Sequence, residues 1–239
     1  MDEPDLLANS HRLPTADRPL LGLTILVVED SRFASEAMRL LCLRSGARIR
    51  RADCLRSARR HLQIYRPSVV IVDLGLPDGS GTDLIRELTT AVPRVAAVLG
   101  TSGDDNAETL AISAGADGFL PKPLKSLTAF QSAILSHVGA ERMHIGPRAV
   151  KDDTITPDDL ALQDDLELIV DVLEKPANPE TLDYVAQFLG GLARSAGNGF
   201  LEQVAAELAQ ARDEGEPSAS LSRRMAELIR RETAPKRAI

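Results

Sequence analysis

Apolar positions between Leu21 and His137 fall into two alternating kinds of run. Short apolar stretches at Thr24–Val28, Ala47–Ala52, Ser68–Val72, Val95–Leu99 and Gly118–Leu120 have strand length. Between them, Arg32–Ser45, Leu55–Tyr65, Gly81–Thr90, Ala107–Ala114 and Ser126–Val138 carry apolar residues at helical spacing. Thr24-Ile25-Leu26-Val27-Val28 is continuously apolar, which suits a strand buried on both faces of a parallel sheet. Gly46 and Gly115 serve as helix stops, and Pro67 and Pro93 fall between helix and strand, where a missing N–H is harmless. Five strands and five helices in strict alternation predict an α/β unit with helices on both faces of a parallel sheet.

The pattern changes after residue 139. Gly139, Gly146, Pro147 and Pro157 punctuate a linker over 140–157, and from Pro157 onward only the helical period remains. Leu160, Leu162, Leu166, Ile169, Val170 and Leu173 form one apolar stripe. Asn178-Pro179-Glu180 is an N-cap with proline at the first helical position, opening a helix through Leu182, Val185, Ala186, Leu189 and Leu192. Helices over Phe200–Arg212 and Leu221–Glu232 follow, which predicts an all-α four-helix bundle. The expected organisation is an N-terminal flexible arm (1–20), an α/β domain (21–139), a linker (140–157), a helical domain (158–233) and a tail (234–239).

Charge separates the two halves. The 239 residues include 28 basic and 35 acidic side chains; residues 1–140 hold 16 of each, leaving 12 basic and 19 acidic in residues 141–239. An acidic C-terminal half argues against contact with phosphate backbones. Cys42 and Cys54 form no CxxC or Cys/His cluster, so neither a metal site nor a disulfide frame is read from them, and free thiols suit a reducing cytoplasm. No basic leader precedes an apolar run, and no run reaches the ~20 residues of a membrane helix. Arg48, Arg50, Arg51, Arg56, Arg59 and Arg60 read as a solvated face, and His61 and His137 have no partner at ligand spacing.

Chemistry gathers at the strand ends. The first strand runs into Glu29-Asp30 and the third into Asp73, followed by the turn-forming Leu74-Gly75-Leu76-Pro77-Asp78-Gly79. Three carboxylates at one sheet edge make a hard-oxygen site suited to Mg²⁺. The fourth strand ends in Gly100-Thr101-Ser102 and the fifth in Pro121-Lys122-Pro123, supplying a hydroxyl and an ammonium. A carboxylate flanked by a cation, a hydroxyl and a lysine can accept a phosphoryl group.

The segments ILVVED, VVIVDLGLPDGSG and GADGFLPKP resemble the receiver domain of two-component response regulators over residues 22–140. The resemblance implies a flavodoxin-like fold with strand order 2-1-3-4-5 and phosphotransfer from a kinase phosphohistidine to Asp73. It implies Mg²⁺ held by Glu29, Asp30, Asp73 and the Gly75 carbonyl, with Lys122 pairing with the phosphoryl group. The Lys122–Pro123 peptide is expected cis, and Phe119 matches the switch aromatic. Counted back from Lys122 without a gap, the switch hydroxyl falls on Gly100; one residue fewer in the following loop places it on Thr101, the assignment taken here.

The run from Asn178 to Leu208, with Ala186-Gln187-Phe188-Leu189-Gly190-Gly191 within it, resembles histidine phosphotransfer domains. Gln187 stands where their phosphorylated histidine would be, and Gly190 where their lysine would be. An amide nitrogen delocalised into its carbonyl is no nucleophile, so this half is not expected to carry phosphate. Gly190 and Gly191 cost a helix roughly 1 kcal/mol each, which a close backbone approach or a tight helix crossing would explain.

The expectation is a cytoplasmic response regulator, not an enzyme beyond self-phosphorylation and autodephosphorylation at Asp73. Its partners would be a histidine kinase or phosphotransfer protein and a downstream protein, with a homodimer left open. The alternative is a DNA-binding transcriptional regulator; the absence of basic residues from Phe200 to Ala211 argues against it.

Overall fold

The structure, a computed structural model, describes residues 14–138, 153–175 and 178–233. The expectations for residues 1–13, most of the linker and the tail lie outside them. The elements of the α/β half are β1 (Thr24–Val28), α1 (Arg32–Ser45), β2 (Arg48–Ala52), α2 (Leu55–Ile64), β3 (Val69–Asp73), β4 (Gly75–Leu76), β5 (Gly79–Ser80), α3 (Gly81–Thr90), β6 (Ala97–Ser102), α4 (Ala107–Ser113), β7 (Gly118–Pro121) and α5 (Leu127–Leu135). The main sheet is parallel, in the order β2-β1-β3-β6-β7. This is the flavodoxin-like arrangement, 2-1-3-4-5 when only its five strands are counted. β4 and β5 form a separate antiparallel pair inside the stretch read as a plain turn.

Burial follows the apolar pattern. All of β3 and the last four residues of β1 are buried, so the sheet centre is covered on both faces. Ile25, Val27, Met38, Leu41, Leu99, Phe130 and Ile134 form the core on one face; Leu26, Val28, Val70, Val72, Leu84 and Ile85 form it on the other. The chain boundaries differ from the expected ones. Leu20, expected in a flexible arm, is 0% exposed, and its N–H donates to the Ser45 carbonyl at 3.0 Å. Ile155, expected in the linker, is buried in the same core, and its N–H donates to Lys125 O at 2.9 Å. Both residues are apolar and cover the sheet ends, which outweighs the polar composition around them.

Among the described residues the C-terminal half has four helices: α6 (Asp159–Leu173), α7 (Pro179–Ala196), α8 (Gly199–Asp213) and α9 (Ser218–Thr233). Asn178 caps α7 by accepting the Thr181 N–H at 2.8 Å, and Gly197, at φ 69°, ends it. The four helices share a core of Ile169, Leu189, Leu201, Leu208, Met225 and their neighbours. Phe33, from α1, is buried in that same core. The two halves therefore meet at the start of α1, beside the carboxyl ends of β1 and β3.

Candidate functional site

The parallel register sets the site. Val28 pairs with Val72, so Glu29, Asp30 and Asp73 leave the sheet side by side. A ligand oxygen from each lies within 4.8 Å of those from the other two. Glu29 is 3% and Asp73 6% exposed. Lys122, carried in from β7, places its ammonium 2.8 Å from Glu29 Oε2 and 2.9 Å from Asp73 Oδ2. Gly75 lies two residues after Asp73, and its N–H donates weakly to Asp73 Oδ1 at 3.4 Å. Asp78, at the β4–β5 turn, accepts the Leu55 and Arg56 N–H groups at 2.8 and 2.9 Å, tying that turn to α2.

Burying so many carboxylates distorts their acidity. Burial raises the Glu29 carboxyl well above its ordinary range, and Asp73 and Asp30 add to it against the opposing pull of Lys122. Burial pushes Asp30 up to about 7, partly offset by the hydroxyl it accepts from Tyr184. Burial works against the Lys122 charge, but Asp73 and Glu29 outweigh it and hold the ammonium protonated. Asp30 Oδ1 is buried without a hydrogen-bond partner. Three close carboxylates, one with a buried oxygen lacking a partner, form a donor set that fits a hard cation.

The hydroxyl end of β6 differs from the assignment made from sequence. Gly100 pairs with Phe119, and a Cβ on Gly100 would lie 2.6 Å from Ala111 Cβ and 3.3 Å from Phe119 Cδ2. Thr101 is fully buried, and its hydroxyl donates to the Leu120 carbonyl at 2.7 Å. Ser102, two residues from Gly100 and thus on the same side of the strand, lines the acidic cavity with Glu29, Asp73 and Lys122. The ungapped count that ends on Gly100 thus agrees with the strand pairing, and the nearby hydroxyl belongs to Ser102. Phe119 is half-buried beside Gly100, where a larger residue at 100 would stand. The Lys122–Pro123 peptide is cis.

The cavity is covered from the C-terminal half. It holds about 30 Å³ and is bounded on the side of the C-terminal half by Gln187, Phe188, Gly191 and Arg194 of α7, while a second cavity of about 600 Å³ adjoins Glu29 and Asp30 beside Tyr184. Tyr184 donates its hydroxyl to Asp30 Oδ2. Burial and the adjacent Asp30 raise the Tyr184 phenol, so the hydroxyl keeps the proton it donates. A Cβ on Gly75 would lie 2.6 Å from Gln187 Nε2, and one on Gly103 would lie 3.0 Å from Arg194 Nε. Arg194 also pairs with Asp104 at 2.9 Å. At the edge of this contact, the Asp165 carboxylate of α6 is 0% exposed and accepts from Ser31 Oγ (2.8 Å), Arg32 N (2.9 Å) and Phe33 N (3.0 Å). It satisfies amides at the start of α1, where a negative charge is also favoured by the helix dipole.

Sequence reasoning brought Glu29, Asp30, Asp73, Gly75 and Lys122 to one place; it singled out Gln187 without placing it beside them. It missed Ser102, Asp165, Tyr184 and Arg194. Only Ser102 had a local signal, its two-residue offset from Gly100. Among the described residues no tight helix crossing accounts for Gly190 and Gly191. A Cβ on Gly190 would be 3.7 Å from Ala205 Cβ, an ordinary contact, and one on Gly191 would meet nothing within 4 Å.

Comparison with known proteins agrees with this geometry. Residues 25–133 match the family model of the response regulator receiver domain. The KDP operon transcriptional regulatory protein KdpE of Escherichia coli is 35% identical over 101 residues, covering 41% of this chain and 44% of that protein. The transcriptional regulatory protein CitB of Klebsiella pneumoniae is 27% identical over 205 residues, covering 76% and 85%. Over the matches at 33% identity or better, this chain spans about half the length of its curated relatives. Among solved structures, the signal receiver domain of a histidine kinase from Syntrophus aciditrophicus aligns at a TM-score of 0.46 and 26% identity, covering 54% of this chain and all of that one (100%). The receiver domain of the Pseudomonas aeruginosa sensor kinase PA1611, crystallised with magnesium in its active site cleft, aligns at 0.45 and 22%, covering 50% and 99%. No helix among the described residues is long and apolar enough to cross a membrane. With its parallel 2-1-3-4-5 sheet and the carboxylates gathered at its edge, the segment from 25 to 133 is a response regulator receiver domain.

Proposed function

We propose that this chain is a two-component response regulator whose phosphoacceptor is Asp73. The observation that carries the reading is the Asp73 carboxylate held between Lys122 and two further buried carboxylates, one with an oxygen lacking a partner. An Asp73 oxygen attacks the phosphorus of a phosphohistidine in a kinase or phosphotransfer protein. The P–N bond breaks, its electron pair leaves on the imidazole, and an acyl phosphate forms. Lys122 follows the developing charge from the carboxylate to a phosphoryl oxygen, while Glu29 keeps its other side. Ser102 offers a hydroxyl to the same group.

Glu29, Asp30, Asp73 and the Gly75 carbonyl would hold Mg²⁺, which supplies charge neutralisation for the transferring phosphoryl group. The three carboxylates and the unsatisfied Asp30 oxygen support that assignment. Incubation with Mg²⁺ and phosphoramidate, followed by intact mass measurement, tests the acceptor. Label is expected on the native chain and absent from Asp73→Asn; equal labelling of both would end the proposal.

The output is proposed to be protein contacts made in the cytoplasm by α6–α9, with turnover confined to Asp73 itself. The exposed side chains of α8 include Glu202, Gln203 and Glu207, a poor surface for phosphate backbones. DNA binding is the second reading, favoured by the names of KdpE and CitB. Salt-sensitive retention of duplex DNA by the full chain would select it.

A further inference from the structure

We propose that α7 occupies the phosphodonor's place over Asp73, with Asp165 as its latch, so that α7 closure and phosphotransfer to Asp73 exclude one another. The inference rests on the phosphoacceptor reading of Asp73. Gln187 is the residue that stands at the phosphorylated position of a phosphotransfer helix, and it is the residue that lies against Gly75, two positions from Asp73. An inert amide thus stands beside the acceptor, on the side from which a nucleophilic imidazole carrying phosphate would have to approach.

The contact is built from both sides. The α/β half presents glycine at two of the positions where α7 lays a side chain, Gly75 under Gln187 and Gly103 under Arg194; a Cβ at either would force these side chains aside. The latch is a buried carboxylate with three donors, all from the three residues that open α1. Phe33 adds an apolar plug into the helical core. The Tyr184 hydroxyl occupies one oxygen of Asp30. Only about 30 Å³ remains above Asp73, room for about one or two waters and too little for a phosphorylated imidazole. A donor helix reaches Asp73 only if α7 leaves, and a phosphoryl group on Asp73 fills the volume that α7 closes.

The test uses the full chain and two variants that leave Glu29, Asp30, Asp73 and Lys122 in place, Asp165→Asn and Arg194→Glu, the second setting like charges at Asp104. Initial rates of labelling by phosphoramidate with Mg²⁺ are compared, with hydrogen exchange at residues 74–79 and 102–105 followed in parallel. Both variants are expected to label at least ten-fold faster than the native chain and to exchange faster in these two loops. Isothermal titration is expected to show tighter Mg²⁺ binding in both, since Asp30 is freed of Tyr184. Native-like labelling rates and loop exchange in both variants would overturn the cover. If no variant takes label while the loops still exchange faster, the phosphoacceptor reading fails and the cover stands.

Discussion

The Lys122 ammonium bridges Glu29 and Asp73, at 2.8 and 2.9 Å, with all three side chains buried. It is the positive charge that compensates this pair, and removing it leaves buried carboxylates facing one another. Lys122→Met is expected to lower the stability of the chelator-treated protein by roughly 3–5 kcal/mol, the cost of orphaning one side of a buried pair. Mg²⁺ is expected to recover part of that loss. Urea denaturation with and without Mg²⁺ measures both quantities.

Asp30 sits at about 7 and Glu29 well above its ordinary range, both through burial. In the unfolded chain both ionise near pH 4. Between those values the folded state binds more protons, so stability declines as pH rises. The contribution is fully present below about pH 4 and is lost as pH passes through about 7. Metal-free protein is therefore expected to show a falling melting temperature from pH 5 to pH 7.5. The same scan of Asp30→Asn should have a shallower slope. A native melting temperature that rises through this window would contradict the assignment.

Thr101 and Ser102 are adjacent but face different surroundings. Thr101→Val removes the donor to the Leu120 carbonyl and is expected to cost ~1–3 kcal/mol of stability, with labelling at Asp73 retained. Ser102→Ala removes the acceptor of the Asp104 N–H, is expected to cost ~0.5–1.5 kcal/mol, and should also change the lifetime of the acyl phosphate. Denaturation midpoints and the decay of label after donor removal separate the two.

The glycines of α7 and β6 are expected to respond in opposite directions. Gly191 has open space around its Cα, so Gly191→Ala should stabilise the protein by roughly 1 kcal/mol through helix propensity. Gly100→Ala would set two Cβ atoms 2.6 Å apart against α4 and should destabilise by ~1–3 kcal/mol. Thermal melts of both variants decide.

Much of this was legible from residues alone, for a physical reason. β1 and β3 are continuous apolar runs ending in acids, and β1, α1 and α3 start and stop where the apolar pattern places them, with Gly46 at the end of α1. Parallel pairing then brings Asp73 to Glu29 without further information. What was not legible depends on contacts across the chain. Asp165 and Ser31 are 134 positions apart, and an aspartate in an amphipathic helix carries no mark of the amides it will meet. The Thr101 assignment failed because a single-residue loop choice inverts which side of a strand a hydroxyl faces. Leu20 and Ile155 were placed outside the core because isolated apolar residues in polar stretches have no period to reveal them.

The Asp165 latch also has a place in time. The first turn of α1 takes part of its cap from a residue more than 130 positions downstream. In a chain made from its N-terminus, the strands that carry Glu29, Asp30, Asp73 and Lys122 are made before Asp165 and α7. The residues of the acidic cluster thus come first in the order of synthesis and those that cover them second.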